Sequence, residues 1–435
     1  MCVGLLAVLT AVGTLDPVVL LLFTFAIGCA GALTTPAWQA IQPDLVPRAE
    51  IPAAAALGSI TVSATRAIGP ALAGFLVAWL GPAPVFAVNA VSFLGLSITV
   101  ARWREPARGS RQDREHMGEA IAAGVRYLRA APGVRRIIVR SVLFAGPASA
   151  LWALLPLAAR QHLGLGAGGY GALLGVLGIG AIVGIVVLPP LRAHWSANVI
   201  LAASALAFAV GSVAIVVFPL AAVVVLLVIA GVAWIATLST LNATMQLSLP
   251  AWVRARGMAG YILAFMGIQA VGSFVWGLVA QYTSLAVSLE ISAALLVLAA
   301  VSVWLLPLSS RTGHYDRTPV SYWPTPTLML EPDPTDGPVV VTIAYHVVRQ
   351  NQERFIAATK ALELSRRRTG ARNWRLYRDG ADTNRFVEQF TVRSWGEHLR
   401  QHDDRITGAD RDFQEAVRQL ADAAPPEVTH LFPAR

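Results

Sequence analysis

Nine apolar runs of about 20 residues dominate the chain, near 18–41, 57–80, 83–102, 136–160, 167–190, 197–218, 220–245, 257–280 and 284–307. An α-helix of that length crosses about 30 Å of hydrocarbon, where each backbone N–H and C=O has to be satisfied within its own segment. The expected fold class is therefore an α-helical membrane protein, with the lipid bilayer as its first partner. A tenth run, Met1 to Leu15, stops at Asp16-Pro17 and is too short for a full crossing.

Composition agrees: 55% of the 435 residues are hydrophobic and 14% charged, against about 25% charged in soluble proteins. Residues 1–307 hold sixteen arginines and eight acids, whereas 308–435 hold eighteen cations and seventeen acids. The second part reads as water-soluble. The net charge of +9 does not argue for nucleic acid, because ten arginines lie between Arg102 and Arg140, between two apolar runs. Cationic loops mark the cytoplasmic side of a membrane protein. That assignment puts Arg48, Arg192, Arg254 and Arg256 on the same side and leaves only Arg160 opposite. It also places the C-terminal region in the cytoplasm and the whole chain in the inner (plasma) membrane. Cys2 and Cys29 both fall in apolar runs, so no disulfide framework or cysteine-based metal site is expected. The N-terminus lacks the basic n-region of a signal peptide and is read as part of the membrane domain. Within 103–135, Met117, Ile121, Val125 and Leu128 recur at helical spacing, which predicts an amphipathic helix on the membrane surface or bracing two bundles.

Two stretches match at an offset of 203. Pro47 pairs with Pro250, Gly69 with Gly272, Gly74 with Gly277, Arg66 with Gln269 and Gln39 with Asn242. Internal repeats are common in transporter folds. The same offset leaves the helices at 136–160 and 167–190 without counterparts, so two further helices are expected ahead of residue 1.

Arg66 lies about nine residues into its run, near mid-membrane, where an ionisable group is costly and points to function. Pro70 removes the helix bond to the Arg66 carbonyl, and Gly69 and Gly74 allow close approach of another helix. A purely structural role for Arg66, pinning that kink, is the competing reading. Asn242 and Gln246 stand four apart on one helix face, and Gln269 and Asn89 add polar groups in other spans. These lead to a substrate or coupling set of Arg66, Asn89, Asn242, Gln246 and Gln269, with Gly69, Pro70, Gly74, Gly272 and Gly277 as conformational glycines and proline. Interhelical hydrogen bonding is an equal account of any one amide. Glu290 is either a proton site or interfacial.

RAIGPALAG at 66–74 resembles the fifth-helix antiporter motif of the major facilitator superfamily. TPAWQAIQPDLVPRAEIPAAAAL, FAVNAVSFL, EAIAAGVRYLRAAPGVRR and QLSLPAWVRARGMAGYILAFMGIQAVGSFVWG resemble its enterobactin-exporter-like branch. The resemblance runs to about residue 307. It implies a twelve-helix bundle of which ten helices are present: four in 1–102, a loop at 103–135 and six in 136–307. The implied activity is proton-coupled export of a siderophore, drug or other small metabolite by alternating access, with no cofactor and no enzymatic step. The sequence departs from the family in lacking the first two helices, the basic loop before the third and a fourth-helix arginine.

Residues 308–337 form a proline-rich linker. From 338 to 435 the pattern reads strand, helix (352–367), strand, strand, helix (409–421), strand, which is a ferredoxin-like α+β order. This part resembles antibiotic-biosynthesis-monooxygenase-like domains, which implies pairing into a homodimeric barrel. Trp374, Tyr377, His398 and His402 are candidates to line an aromatic pocket, although Trp374 and Tyr377 read equally as sheet core and turn neighbours. The alternative function is a membrane-anchored oxygenase-like or regulatory protein.

Overall fold

A computed structural model of the chain describes residues 2–14, 16–41, 65, 69, 72–73, 76–77, 79–102, 117–308, 328, 332–422 and 426–434. The chain divides into two compact units: Met1–Gln112, Phe144–Leu238 and Gln269–Val301 in one, and Asp113–Leu143, Ser239–Ile268 and Ser302–Arg435 in the other.

The apolar helices are α1 (Cys2–Val12), α2 (Pro17–Ile41), α3 (Pro82–Arg102), α5 (Pro132–Gln161), α6 (Ala167–His194), α7 (Ala197–Val217), α8 (Leu220–Ser248), α9 (Ala251–Tyr282) and α10 (Leu285–Leu305). Seven helices among the described residues are long and apolar enough to cross a membrane. Helices α2, α3 and α5 each begin on a proline, whose fixed φ suits the first helical position and whose missing N–H would be unpaired there in any case. This is why α5 starts at Pro132 rather than at the apolar onset near 136. Pro250 stands just before α9, where its carbonyl accepts from the Val253 N–H, and the helix carries Arg254 and Arg256 within its first turns. The expected span at 57–80 lies for the most part outside the described residues.

In the first unit α1 packs on α3, with Gly4 facing Ala90. Its main core joins Phe144, Leu151 and Leu155 of α5 to Leu177, Phe208, Leu227 and Leu296 of the neighbouring helices. A GxxxG pair, Gly180 and Gly184, lays α6 directly on α8. A Cβ at Gly180 would overlap the Val228 carbonyl and lie 3.0 Å from the Gly231 Cα. Close backbone approach of this kind provides the dispersion contact that holds helices together where lipid removes the hydrophobic drive.

The second unit contains α4 (Met117–Ala130) and a sheet domain of β1 (Val339–His346), α11 (Gln352–Thr369), β2 (Arg372–Arg378), β3 (Arg385–Val392), α12 (Trp395–Arg400), α13 (Gly408–Arg418) and β4 (Glu427–Leu431). The four strands are antiparallel in the order β2-β3-β1-β4. Strict alternation of buried positions along β1 and β3 gives one core face, filled by Val341, Ile343, Phe386, Phe390, Phe355 and Leu362. Thr407 and Asp410 close a capping box at the start of α13, which satisfies two otherwise unpaired backbone donors.

The face of α4 that packs on protein is Ala123, Gly124 and Tyr127, while Ile121 and Val125 are 60% and 41% exposed. A glycine makes the close contact: a Cβ at Gly124 would lie 2.9 Å from the Arg256 Cβ. Residues 395–405 form α12 followed by a π-helical turn, Gln401–Arg405. Ser394 supplies the start signal by accepting a hydrogen bond from the Glu397 N–H.

Candidate functional site

Within the first unit, α5 is interrupted by Pro147, which has no N–H to give to the preceding turn. Polar groups gather at this break. The Gly146 carbonyl accepts from the Trp276 indole N–H at 2.9 Å and from the Ser149 hydroxyl at 2.6 Å. The Ser292 hydroxyl donates to the Pro147 carbonyl at 2.8 Å, and Ser288 donates to the Trp276 carbonyl at 3.2 Å. Ser149, Ser288 and Ser292 are fully buried. Gly272 makes the approach of α9 possible, since a Cβ there would clash with the Ser149 hydroxyl and lie 2.8 Å from the Gly146 oxygen. The arrangement ties α9 and α10 to the Pro147 turn of α5 through neutral hydrogen bonds, which are modest in strength.

Beside it, Phe144, Trp152, Phe208 and Trp234 form a cluster with ring centroids 5.2–5.8 Å apart. The Trp152 indole N–H is buried without an acceptor. A buried donor of this kind would be satisfied by a hydrogen-bond acceptor, while Phe144 and Phe208 beside it are packed core, 4% and 0% exposed.

Asn242 and Gln246 are exposed one turn apart on α8, Asn89 is exposed on α3, and Gln269 is half-buried on α9. Gly69 has van der Waals room, with Thr65 Cγ2 at 3.9 Å from a built Cβ, and a Cβ at Gly277 would meet nothing within 4 Å. Arg66, Pro70 and Gly74 lie outside the described residues. Sequence reasoning missed the Gly180–Gly231 crossing, for which the GxxxG spacing was the available signal. It also missed the Gly146–Pro147 break and Arg140, which is 5% exposed and donates to the Ser302 hydroxyl at 3.0 Å.

In the sheet domain the Glu388 carboxyl is fully buried and accepts from Arg366 Nε at 3.0 Å, the Trp374 indole at 2.9 Å and the Tyr345 hydroxyl at 2.9 Å. Burial pushes the Tyr345 hydroxyl well above its usual range, and the Glu388 charge adds to this. Burial would pull Arg366 down, but Glu388 outweighs it and the guanidinium stays charged. Next to this network His398 Nε2 lies 2.9 Å from His430 Nε2, and the His398 and His402 rings are 4.5 Å apart. Burial, then the neighbouring imidazoles, lowers His398 to about 2; burial, then the Arg366 charge, lowers His402 to about 4. The cavity among these histidines, Arg366 and Gln401 measures about 20 Å³, which is room for one water and not for an aromatic compound. Among the described residues no group of three His, Cys, Asp or Glu is placed to hold a metal ion. Trp374 is core, and Tyr377 is half exposed on β2.

Residues 1–435 match the family model described as transmembrane secretion effector. Among solved structures, the fold is similar to a bacterial homolog of the human lysosomal transporter Spinster, in an inward-facing and unoccupied conformation. The two share 17% identity with a TM-score of 0.51, over 72% of this chain and 83% of that one. A second match is the E. coli fucose:proton symporter, at 14% identity and a TM-score of 0.43, over 69% and 80% of the two chains. No curated protein matches the chain.

Proposed function

This chain belongs to the transmembrane secretion effector family of the major facilitator superfamily, and we propose that it exports a small amphipathic molecule by alternating access, driven by proton exchange. The coarser part is plain: it is a multi-pass membrane protein and a secondary transporter, not an enzyme. Export is supported by the family's description as secretion effectors. The observation that carries the substrate class is the Phe144, Trp152, Phe208 and Trp234 cluster with its unpaired indole donor, which favours a lipophilic aromatic compound such as a drug or an aryl siderophore. Arg66, Asn89, Asn242, Gln246 and Gln269 are proposed to bind substrate or carry coupling, and Gly69, Pro70, Gly74, Gly272 and Gly277 to permit the helix movements. The resemblance to the enterobactin-exporter-like branch supports the same reading.

For the C-terminal region we favour a cytoplasmic ferredoxin-like domain, in support of which stand the strand order β2-β3-β1-β4 and the two intervening helices. Its outer sheet face carries two cross-strand pairs, Val340 with Leu431 and Tyr377 with Val387, which suits pairing with a second copy. The size of the purified protein with and without residues 338–435 tests that pairing; an unchanged oligomeric state would remove it. The transport reading is tested by mass spectrometry of the medium from cells expressing the chain, its Arg66→Ala variant or neither. A compound should be enriched outside only with the unmodified chain, and a protonophore should stop its release. Release by Arg66→Ala at the full rate and equal membrane abundance would return Arg66 to a structural role.

A further inference from the structure

The start of the domain's α12 carries a charge that the sheet core does not use. Glu397 is 7% exposed and sits outside the Glu388 network. Its Oε1 accepts from Arg405 NH1 at 3.1 Å, within the same domain, and from Arg126 NH2 on α4 at 2.7 Å, a residue 271 positions earlier in the sequence. Both ends of the second pair are shielded, with side-chain exposures of 15% and 9%. A surface pair of this kind contributes little, but a desolvated carboxylate held by two guanidinium groups fixes a geometry, because loss of either partner leaves a buried charge uncompensated. Burial by itself would raise the Glu397 carboxyl, and Arg126 and Arg405 together bring it below its ordinary value.

The contact extends beyond one pair. Helix α11 packs along α4. Arg405, while bonded to Glu397 and to the Thr369 carbonyl at 2.9 Å, lies over the Trp252 ring at 5.0 Å from its centroid, in the first turn of α9. Tyr127 of α4 meets the other side of this joint, edge-on to Trp252 at 5.7 Å. On the α4 side, Gly124 faces Arg256, and a Cβ at Gly260 would lie 2.5 Å from Leu128 Cδ1. The linker also ends in a fixed geometry: Pro334 and Asp336 accept from the Gly396 and Trp395 N–H groups at 2.9 and 2.7 Å, so the chain enters the domain beside Glu397.

We infer that the surface around Glu397 is a docking surface whose partner is the arginine-bearing face of α4 in the same chain, so that the sheet domain, α4 and the first turn of α9 are joined as one body. A long proline-rich linker does not by itself hold a domain in one orientation; the Arg126–Glu397–Arg405–Trp252 contact does. For a transporter that alternates, this joint makes the sheet domain a load carried by, or a latch on, the segment between α3 and α5. That consequence rests on the transport reading, whereas the docking does not.

Distance measurement between spin labels in the full chain tests the docking without any substrate. Cys2→Ser and Cys29→Ser remove the native thiols, and Ile121→Cys on α4 and Glu353→Cys on α11 provide two exposed attachment points. The unmodified joint should give one narrow distance distribution. Arg126→Glu leaves the Glu397–Arg405 pair intact but sets two carboxylates against each other, and should remove at least nine-tenths of the narrow component. Arg126→Lys should keep most of it, and Glu397→Gln added to Arg126→Glu should restore part. A broad distribution before any change at Arg126, or a narrow one that survives Arg126→Glu, would overturn the proposal.

Discussion

Removing the Glu388 carboxyl with Glu388→Ala should unfold the sheet domain under conditions that leave the membrane helices intact. The side chain is fully buried and takes hydrogen bonds from Arg366, Trp374 and Tyr345, and Arg366 itself is 4% exposed. Deleting the acid therefore leaves a buried guanidinium with its main counter-charge gone, a change that costs about 3–5 kcal/mol. A domain of roughly 100 residues has a total stability of about 5–15 kcal/mol, so the loss runs from about a fifth of it to all of it. With a urea dependence of about 1.5 kcal/mol per molar for a domain of this size, the unfolding midpoint should fall by about 2–3 M. Brief proteolysis of the detergent-solubilised chain across a urea series, scored by survival of the C-terminal fragment, reads that midpoint directly. The partner experiment separates charge from packing: Glu388→Leu with Arg366→Met removes both charges while filling the space, and should recover only part of the loss, because the Trp374 and Tyr345 donors are left without their acceptor. A midpoint within about 0.5 M of the unmodified protein for Glu388→Ala would refute the reasoning.

The histidines give the domain a pH dependence of known sign. His398 is held at about 2 in the fold against about 6.5 when unfolded, so between these values only the unfolded chain takes up the proton. Stability is full above about pH 6.5 and falls by about 1.4 kcal/mol per pH unit below it, or about 2 kcal/mol from pH 7 to pH 5 from His398 alone. His402, lowered to about 4, acts in the same direction; equal urea midpoints at pH 7 and pH 5 would contradict the buried neutral cluster. In the bundle, Gly231→Val places carbon against the Leu177 carbonyl and the Gly180 Cα and should cost at least about 1–3 kcal/mol of packing. Thermal aggregation of the solubilised protein checks this, with Gly277→Ala as the neutral comparison because nothing lies within 4 Å of that site.

Membrane character, the approximate spans of the described helices and the α-β pattern of the C-terminal region were legible in the chain because each is a local property. Apolar runs of helix length have no alternative in a bilayer, and alternation in RFVEQFTV anticipated β3 at Arg385–Val392 without error. Prolines mark the starts of α2, α3 and α5, and α5 begins at Pro132 rather than at the apolar onset near 136, since hydropathy marks where lipid begins and not where hydrogen bonding does. What the sequence could not supply were relations between distant segments. The aromatic cluster unites three helices, the Gly146–Pro147 break is completed by donors more than 120 residues later, and neither is written in any local period. Helix α4 makes the point most directly. Its spacing displayed an apolar face of Ile121, Val125 and Leu128, but tertiary packing turned Gly124 and Tyr127 inward and left Ile121 exposed. A glycine permits backbone-close contact that a bulky side chain prevents, and Arg126 is drawn to a carboxylate that lies 271 residues away along the chain.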